Sequence, residues 1–278
     1  MLADTLREMA ADGIGSVLVI VTSAYASYSG CRQYRENLAD AVDAADVAGT
    51  MELAKVRHYF DHPGFVEPMI DATVAALAEV GVDEGTRLAF TTHSIPLAGA
   101  QTSGPPGRYD AEAGGAYVAQ HRAVAGLVAD GVAARLGRAV PWELVYQSRS
   151  GPPAVPWLEP DICDHLDDLA AEGASGVVMV PIGFISDHME VVWDLDTEAM
   201  DHARELGLPC ARAATVGTHP LFVRALVDLV QERLADTPTS QRPALSRFGP
   251  SYDVCPVGCC PNPRGVRPAM CGSGERIG

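Results

Sequence analysis

VVMVPIGFISDHMEVVWDLD, residues 177–196, carries the fold and the chemistry in one stretch. Its first nine residues are almost all apolar and rich in β-branched side chains. So short a run reads as a strand buried on both faces. Ser186, Asp187, His188, Glu190, Asp194 and Asp196 follow at once. A buried strand therefore opens directly onto carboxylates and an imidazole. In a parallel α/β sheet, ligands gather beyond the carboxyl ends of the strands, and this group falls there.

Outward from that stretch, apolar runs alternate with amphipathic ones. The pattern predicts strands over 16–24, 56–60, 87–94, 143–148, 176–184 and 210–216. It predicts helices over 4–12, 33–45, 65–79, 109–136, 161–171, 190–206 and 220–235. Strands joined by helical crossovers imply a parallel sheet with helices on both faces. His93 ends the predicted strand 87–94, so it occupies the same kind of position as the 186–190 group. After residue 235 the period is lost. From Pro256 the chain is rich in Pro, Gly and Cys, and apolar burial alone cannot fold it. Something ties this extension down, or it stays loose. No repeat of solenoid period is present.

The chain of 278 residues is 47% hydrophobic and carries a net charge of −16. That charge opposes nonspecific binding to nucleic acid or anionic lipid. No apolar run has the length of a bilayer, and the first residues lack the basic and apolar regions of a secretory signal. The expected location is the cytoplasm. Seven cysteines are present; Cys31, Cys163 and Cys210 are scattered, while Cys255, Cys259, Cys260 and Cys271 crowd the end. Disulfides do not persist in a reducing cytosol, so the cluster points to metal.

Several constellations bear on function. His93 and Glu190, on separate strand ends, suit a shared cation or a proton transfer. The plainer reading makes Ser186 and Asp187 helix caps and His93 a hydrogen-bonded loop residue. Glu190, Asp194 and Glu198 are four apart and stack on one helix face. They form either a track for cations or protons, or a solvated face of an acidic protein. The terminal thiols suit zinc or an iron–sulfur cluster, although paired Cys-x-x-Cys zinc knuckles are absent. Otherwise they are reactive thiols on a loose tail. Residues 25–34 place three tyrosines and an arginine after a strand, as an aromatic pocket or as side chains packed at a helix start. Residues 146–160 display Gln147, Ser148, Arg149 and Trp157 in a proline-bounded loop, either for binding or with Trp157 as a lid on the core.

Six stretches together resemble the ferrochelatases, and most closely those of actinobacterial coproporphyrin III type. They are TSAYASYSGCRQYRENL, YFDHPGFVE, FTTHSIP, YQSRSGPPAVPWLEPDI, PIGFISDHMEVVWDLDTEA and RAATVGTHPLFVRAL. They span nearly the whole chain to residue 235. The resemblance implies two Rossmann-like lobes with parallel sheets and helices on both faces, followed by a Cys-rich extension. The expected division is 1–84 for the remainder of the first lobe, 85–236 for the second, and 237–278 for the extension. Set against the family, the chain begins after an opening strand and helix set, about a quarter of the usual length, so the first lobe is expected to be N-terminally truncated.

The implied activity is insertion of Fe2+ into a free-base porphyrin, coproporphyrin III by the resemblance, in heme synthesis. His93 and Glu190 are implied as ligands of the incoming iron or partners in its insertion. Tyr34, Trp157, Asp187, His188 and Asp194 match positions near the porphyrin or along the acidic helix, which is often locally π-bulged. A [2Fe–2S] cluster is implied, held by Cys31, Cys255, Cys259 and Cys260. Cys271 is an alternative ligand, because the side chains of adjacent cysteines diverge. Metal insertion transfers no electrons, so the cluster is expected to be structural or sensing. The expected partners are porphyrin, Fe2+ and transient contacts with neighbouring heme-pathway enzymes, and neither nucleic acid nor a transmembrane segment. Two other readings stand beside this one: a truncated, non-catalytic porphyrin or iron–sulfur binding relative, and another tetrapyrrole metal chelatase.

Overall fold

Residues 1–273 are described by a computed structural model, and two parallel sheets organise them. The first holds β1 (Ser16–Val19) beside β2 (Glu52–Lys55). The second has the order β4-β3-β5-β6, with β3 Thr86–His93, β4 Trp142–Gln147, β5 Gly176–Val180 and β6 Cys210–Arg212. All its pairs are parallel.

Helices α1 (Leu2–Ala11) and α2 (Gln33–Ala45) cover one face of the first sheet. Leu6, Leu38 and Val42 pack there with Leu53, Val17 and Val19. The second sheet is covered on both faces. Leu88, Phe90, Leu144, Val178 and Val180 point to one side, towards α3 (Pro63–Val80), α5 (Gly115–Leu136) and α9 (Pro220–Leu234). Ala89, Val145, Val177 and Met179 point to the other, towards α6 (Ile162–Ala171) and the helical run after β5. This is the two-residue period of a strand with both faces buried. Helix α3 packs against α5, α9, β5 and β6. Residues 63–80 thus lie on the second sheet, although they precede the expected lobe boundary at 84.

Among the differences from prediction, three elements change in extent or place and one helix is new. Strand 16–24 shrinks to four residues, with Ser16 exposed and the next three partly exposed, because among the described residues β1 has β2 as its only neighbour. The strand predicted at 56–60 falls at 52–55, and Val56–Phe60 form a buried loop that places Arg57 in an ion pair with Glu232, at 2.8 Å. Helix 109–136 starts only at Gly115. Gly114 (φ +89°) and Gly115 (φ +60°) break it, and a Cβ on Gly115 would lie 2.3 Å from the Ala100 carbonyl oxygen. A short helix not foreseen, α4 (Leu97–Gln101), follows β3.

The C-terminal extension is tied down. Its segment 262–271 lies on α2, where the Arg35 Nε donates to the Met270 carbonyl at 2.7 Å and Arg35 O accepts from Met270 N at 3.0 Å. Asn262 Nδ2 donates to Glu36 at 2.9 Å, and Glu36 is itself buried against Arg32. Polar anchoring supplies what the tail lacks in apolar surface. Among the described residues, no helix is long and apolar enough to cross a membrane.

Candidate functional site

The chain leaves β5 at Val180 and reaches α7 (Met189–Val191) through a tight loop. Gly183 in that loop presses on β3, and a Cβ there would lie 2.2 Å from the Thr92 hydroxyl. His188 caps α7, its Nδ1 accepting from Glu190 N at 3.2 Å. The predicted helix 190–206 then divides: a π-helix over Val192–Ala199, and α8 over Met200–Glu205. π-Helical turns are rare and occur mostly at functional sites.

His93 Nε2 lies 3.7 Å from Glu190 Oε1, and His188 Nδ1 lies 3.9 Å from Glu190 Oε2. The structure thus brings His93, His188 and Glu190 to one carboxylate. His93 is 31% exposed and Glu190 52%. The other nitrogen of His93, Nδ1, meets the Ser94 carbonyl oxygen. A carbonyl only accepts, so Nδ1 carries the proton and Nε2 presents a lone pair to the carboxylate. Two acceptors facing one another at that distance leave a place for a cation or a proton.

The imidazole is held from behind. Tyr117 donates to the His93 carbonyl at 2.7 Å. The Thr92 hydroxyl bridges Tyr117 and His121 at 3.0 and 2.9 Å, and His121 stacks on Tyr25 with ring centroids 3.6 Å apart. Burial holds the His121 imidazole down at about 3, so it is neutral and serves as scaffold. On the far side, Ser94 Oγ donates to Leu158 O at 2.8 Å, and Pro96 bridges Trp157, which fastens the loop after β3 to the loop after β4.

The remaining predicted positions divide. Asp194 is joined to the pair through Gln147, whose Nε2 donates to Glu190 O at 2.9 Å and to Asp194 Oδ2 at 3.4 Å; Ser148 also donates to Asp194. Asp187 faces away, accepting from Arg212 and from Thr215, each at 3.0 Å. Tyr34 lies 41% exposed on α2, and no hydrogen bond or ring contact among the described residues joins it to His93 or Glu190. Glu198 is exposed. The sequence reading placed Gln147 in a strand but missed its link to Glu190 and Asp194, and it missed the apolar patch of Met189, Val192 and Trp193 exposed beside Glu190.

A second cluster lies in the extension. Cys31, Cys255, Cys259 and Cys260 are buried together with Ala26 and Ala116. Cys31 Sγ lies 3.8 Å from Cys255 Sγ, and Cys259 Sγ lies 3.8 Å from Cys260 Sγ. Adjacent cysteines point the same way here because Cys260 has φ +51°, which folds its side chain back onto that of Cys259. Cys271 is set apart, its thiol directed at the Leu53 carbonyl at 3.6 Å. Hydrogen bonds from the Cys259 and Cys31 thiols favour the Cys255 thiolate, while Cys31 and Cys259 are pushed up to about 12, chiefly by donating those hydrogen bonds to Cys255. Among the described residues, no group of three or more His, Cys, Asp or Glu is arranged to hold a metal ion. The thiols meet in pairs instead.

The ferrochelatase family model matches residues 1–234. The chain is 56% identical to the coproporphyrin III ferrochelatase of Streptomyces griseus and 57% identical to that of Streptomyces coelicolor, over 98% of its own length and 73% of theirs. The enzyme of the same name from Leifsonia xyli is 49% identical, with 72% of its length covered. Among solved structures, SirB from Bacillus subtilis with Fe3+ superposes with a TM-score of 0.53 at 12% identity, over 87% of this chain and 81% of that one; this is a likeness of fold. The chain belongs to the ferrochelatase family of metal chelatases.

Proposed function

We propose that this protein inserts Fe2+ into coproporphyrin III at the strand ends that carry His93 and Glu190. One observation carries the reading: His93 Nε2 faces the Glu190 carboxylate across 3.7 Å, beyond the ends of two adjacent strands. Insertion requires two pyrrole N–H protons to leave as the dication enters. His93 Nε2 is an acceptor for a proton, and Glu190 stabilises the imidazolium that results. Asp194, linked through Gln147 and Ser148, extends the carboxylates away from the pair along the π-helix, as a route for protons or hydrated iron. Met189, Val192 and Trp193 offer apolar surface to a flat macrocycle, and Trp157 adds an aromatic wall. His188 sets Glu190 by capping its helix. Tyr34 and Asp187 are second-line candidates for contact with the periphery of the ring. No nucleotide or redox cofactor enters the insertion.

The same proposal gives the four-thiol nest a [2Fe–2S] cluster. The donor set fits: four buried thiols in two close pairs, where such a cluster takes two thiolates on each iron. When bound it joins the extension to the turn at Cys31. The division into two chelatase lobes and an extension, and action in the cytoplasm as part of heme synthesis, belong to this reading.

The test is anaerobic metallation followed by loss of porphyrin fluorescence, with coproporphyrin III and protoporphyrin IX side by side. Faster turnover of coproporphyrin III is expected. A folded protein that binds porphyrin but metallates none would leave the non-catalytic binding role. Activity on sirohydrochlorin alone would assign it to another chelatase.

A further inference from the structure

Lys55 is the last residue of β2 and is 3% exposed. An ammonium taken out of water costs several kcal/mol unless opposite charge meets it. Among the described residues no carboxylate pairs with it. Its hydrogen bonds go to the carbonyl oxygens of Val56 and Tyr252, both at 3.4 Å. With Cys31, Gly30 and His58 it lines one small internal cleft. Its carbonyl partner Tyr252 shortly precedes Cys255 in the chain, so the ammonium is held between Cys31 and the start of the terminal thiols. His58 beside it is held to about 4 by burial and by Lys55, so it adds no charge at neutral pH. Lys55 therefore has sulfur beside it where a carboxylate would ordinarily stand.

We propose that Lys55 is the counter-charge of the four-thiol nest, helping it to hold its cluster and favouring the cluster's reduced form. The inference rests on reading the nest as a [2Fe–2S] site. Assembly converts four thiols to thiolates and releases four protons. Four thiolates on an Fe2S2 core of charge +2 give a buried group of charge −2. One electron from an external donor makes it −3. A fixed cation in a wall of low dielectric stabilises the more negative form more strongly. The ordinary residue for the end of a buried strand is aliphatic; a lysine there is explained by the charge it meets. Arg35, also buried on α2, adds to the same field.

The experiment uses the full chain, reconstituted anaerobically with Fe3+ and sulfide, then titrated with dithionite in the presence of mediators. Absorption and electron paramagnetic resonance follow the cluster. Lys55→Met keeps the stem and removes the charge; Lys55→Arg keeps the charge. The expected result is a midpoint potential shifted negative in Lys55→Met and restored towards wild type in Lys55→Arg. Lower iron and sulfide content in Lys55→Met, with wild-type content in Lys55→Arg, carries the same conclusion. If Lys55→Met fails to fold, Lys55→Gln takes its place in the comparison. A neutral variant that loads fully with an unchanged midpoint overturns the role of Lys55 and leaves the cluster reading intact. Equal loss of the cluster in the neutral and arginine variants also overturns it, since packing alone would then be at work. Wild-type protein that takes up no iron and sulfide overturns both.

Discussion

The His93–Glu190 pair and the thiol nest sit in one chain and solve opposite problems. The first is built from nitrogen and oxygen, half open to water, with its carboxylate more exposed than its imidazole. The second is built from sulfur and closed, its four cysteines at most 3% exposed. Hard or borderline ligands in contact with solvent exchange a dication readily, whereas buried thiolates retain one. A site that must receive iron and give it up to a ring has to be wet and weakly organised. A site that keeps its group has to exclude water and be bound into the fold. The difference extends to the supporting residues: neutral Tyr117, Thr92 and His121 stand behind His93, whereas the cation Lys55 stands beside the thiols.

The sharpest way to break this contrast is His93→Ala. Removing a positioned proton acceptor typically costs 10²–10⁴-fold in rate, so turnover with Fe2+ and coproporphyrin III should fall by about that much. Thermal unfolding should barely change, because the side chain is partly exposed and packs little. Turnover within a few-fold of wild type, with the fold intact, would move insertion away from this pair.

Next in size is Cys31→Ser. If the nest holds its group through this residue, iron and sulfide content should drop to background. The 255–273 segment should then become a protease target, cut at least ~10-fold faster than in wild type, while the residues before 235 persist. Mass spectrometry of timed digests reads both. A Cys271→Ser variant gives the contrast: its thiol points to Leu53 O, so the cluster should remain.

The two classes of imidazole differ in what they do with acid. His121 at about 3 and His58 at about 4 both lie below the ordinary value of 6.5. The unfolded chain therefore binds more protons than the folded one between those values. The stability this contributes is complete above about 6.5 and is lost as the pH falls through the folded pKa values. Each histidine can add a slope of up to about 1.4 kcal/mol per pH unit in that window. Urea unfolding at a series of pH values should show His121→Phe with a flatter acid limb than wild type. An unchanged slope in His121→Phe would mean that this imidazole is not kept neutral by burial.

What the amino-acid sequence revealed follows the same divide. β3 and β5 were legible because long β-branched runs permit little else, and their ends located His93 and Glu190. Helix 33–45 matched residue for residue. The first sheet was misplaced because ELAK, the real β2, reads as an amphipathic fragment, whereas VRHYF looks like a strand and is a loop. Tertiary contacts, above all the Arg57–Glu232 pair, overrode local propensity there. Gln147 fell inside the predicted strand 143–148 and was also grouped with the loop that follows; the structure makes it the last strand residue, in register with His93. The convergence of Cys259 and Cys260 depends on one backbone angle that a list of residue types does not contain. Lys55 gave no signal at all, since a lysine in a sequence suggests solvent.

The smallest expected effect tests whether the open site also recognises its ring. Trp193 is 57% exposed on the π-helix, one turn beyond Glu190, with Met189 and Val192 exposed nearby. A tryptophan held in water gives up favourable burial, and a porphyrin face would recover it. Trp193 meets neither His93 nor Glu190 through a hydrogen bond, so it has no part in moving protons. Trp193→Ala should therefore raise the KM for porphyrin several-fold and leave kcat close to wild type, the pattern of lost uniform binding. The Fe2+ dependence should not move. A fall in kcat with KM unchanged would instead give the ring of Trp193 a role in the insertion step, and the line between recognition and chemistry along this helix would have to be drawn further from Glu190.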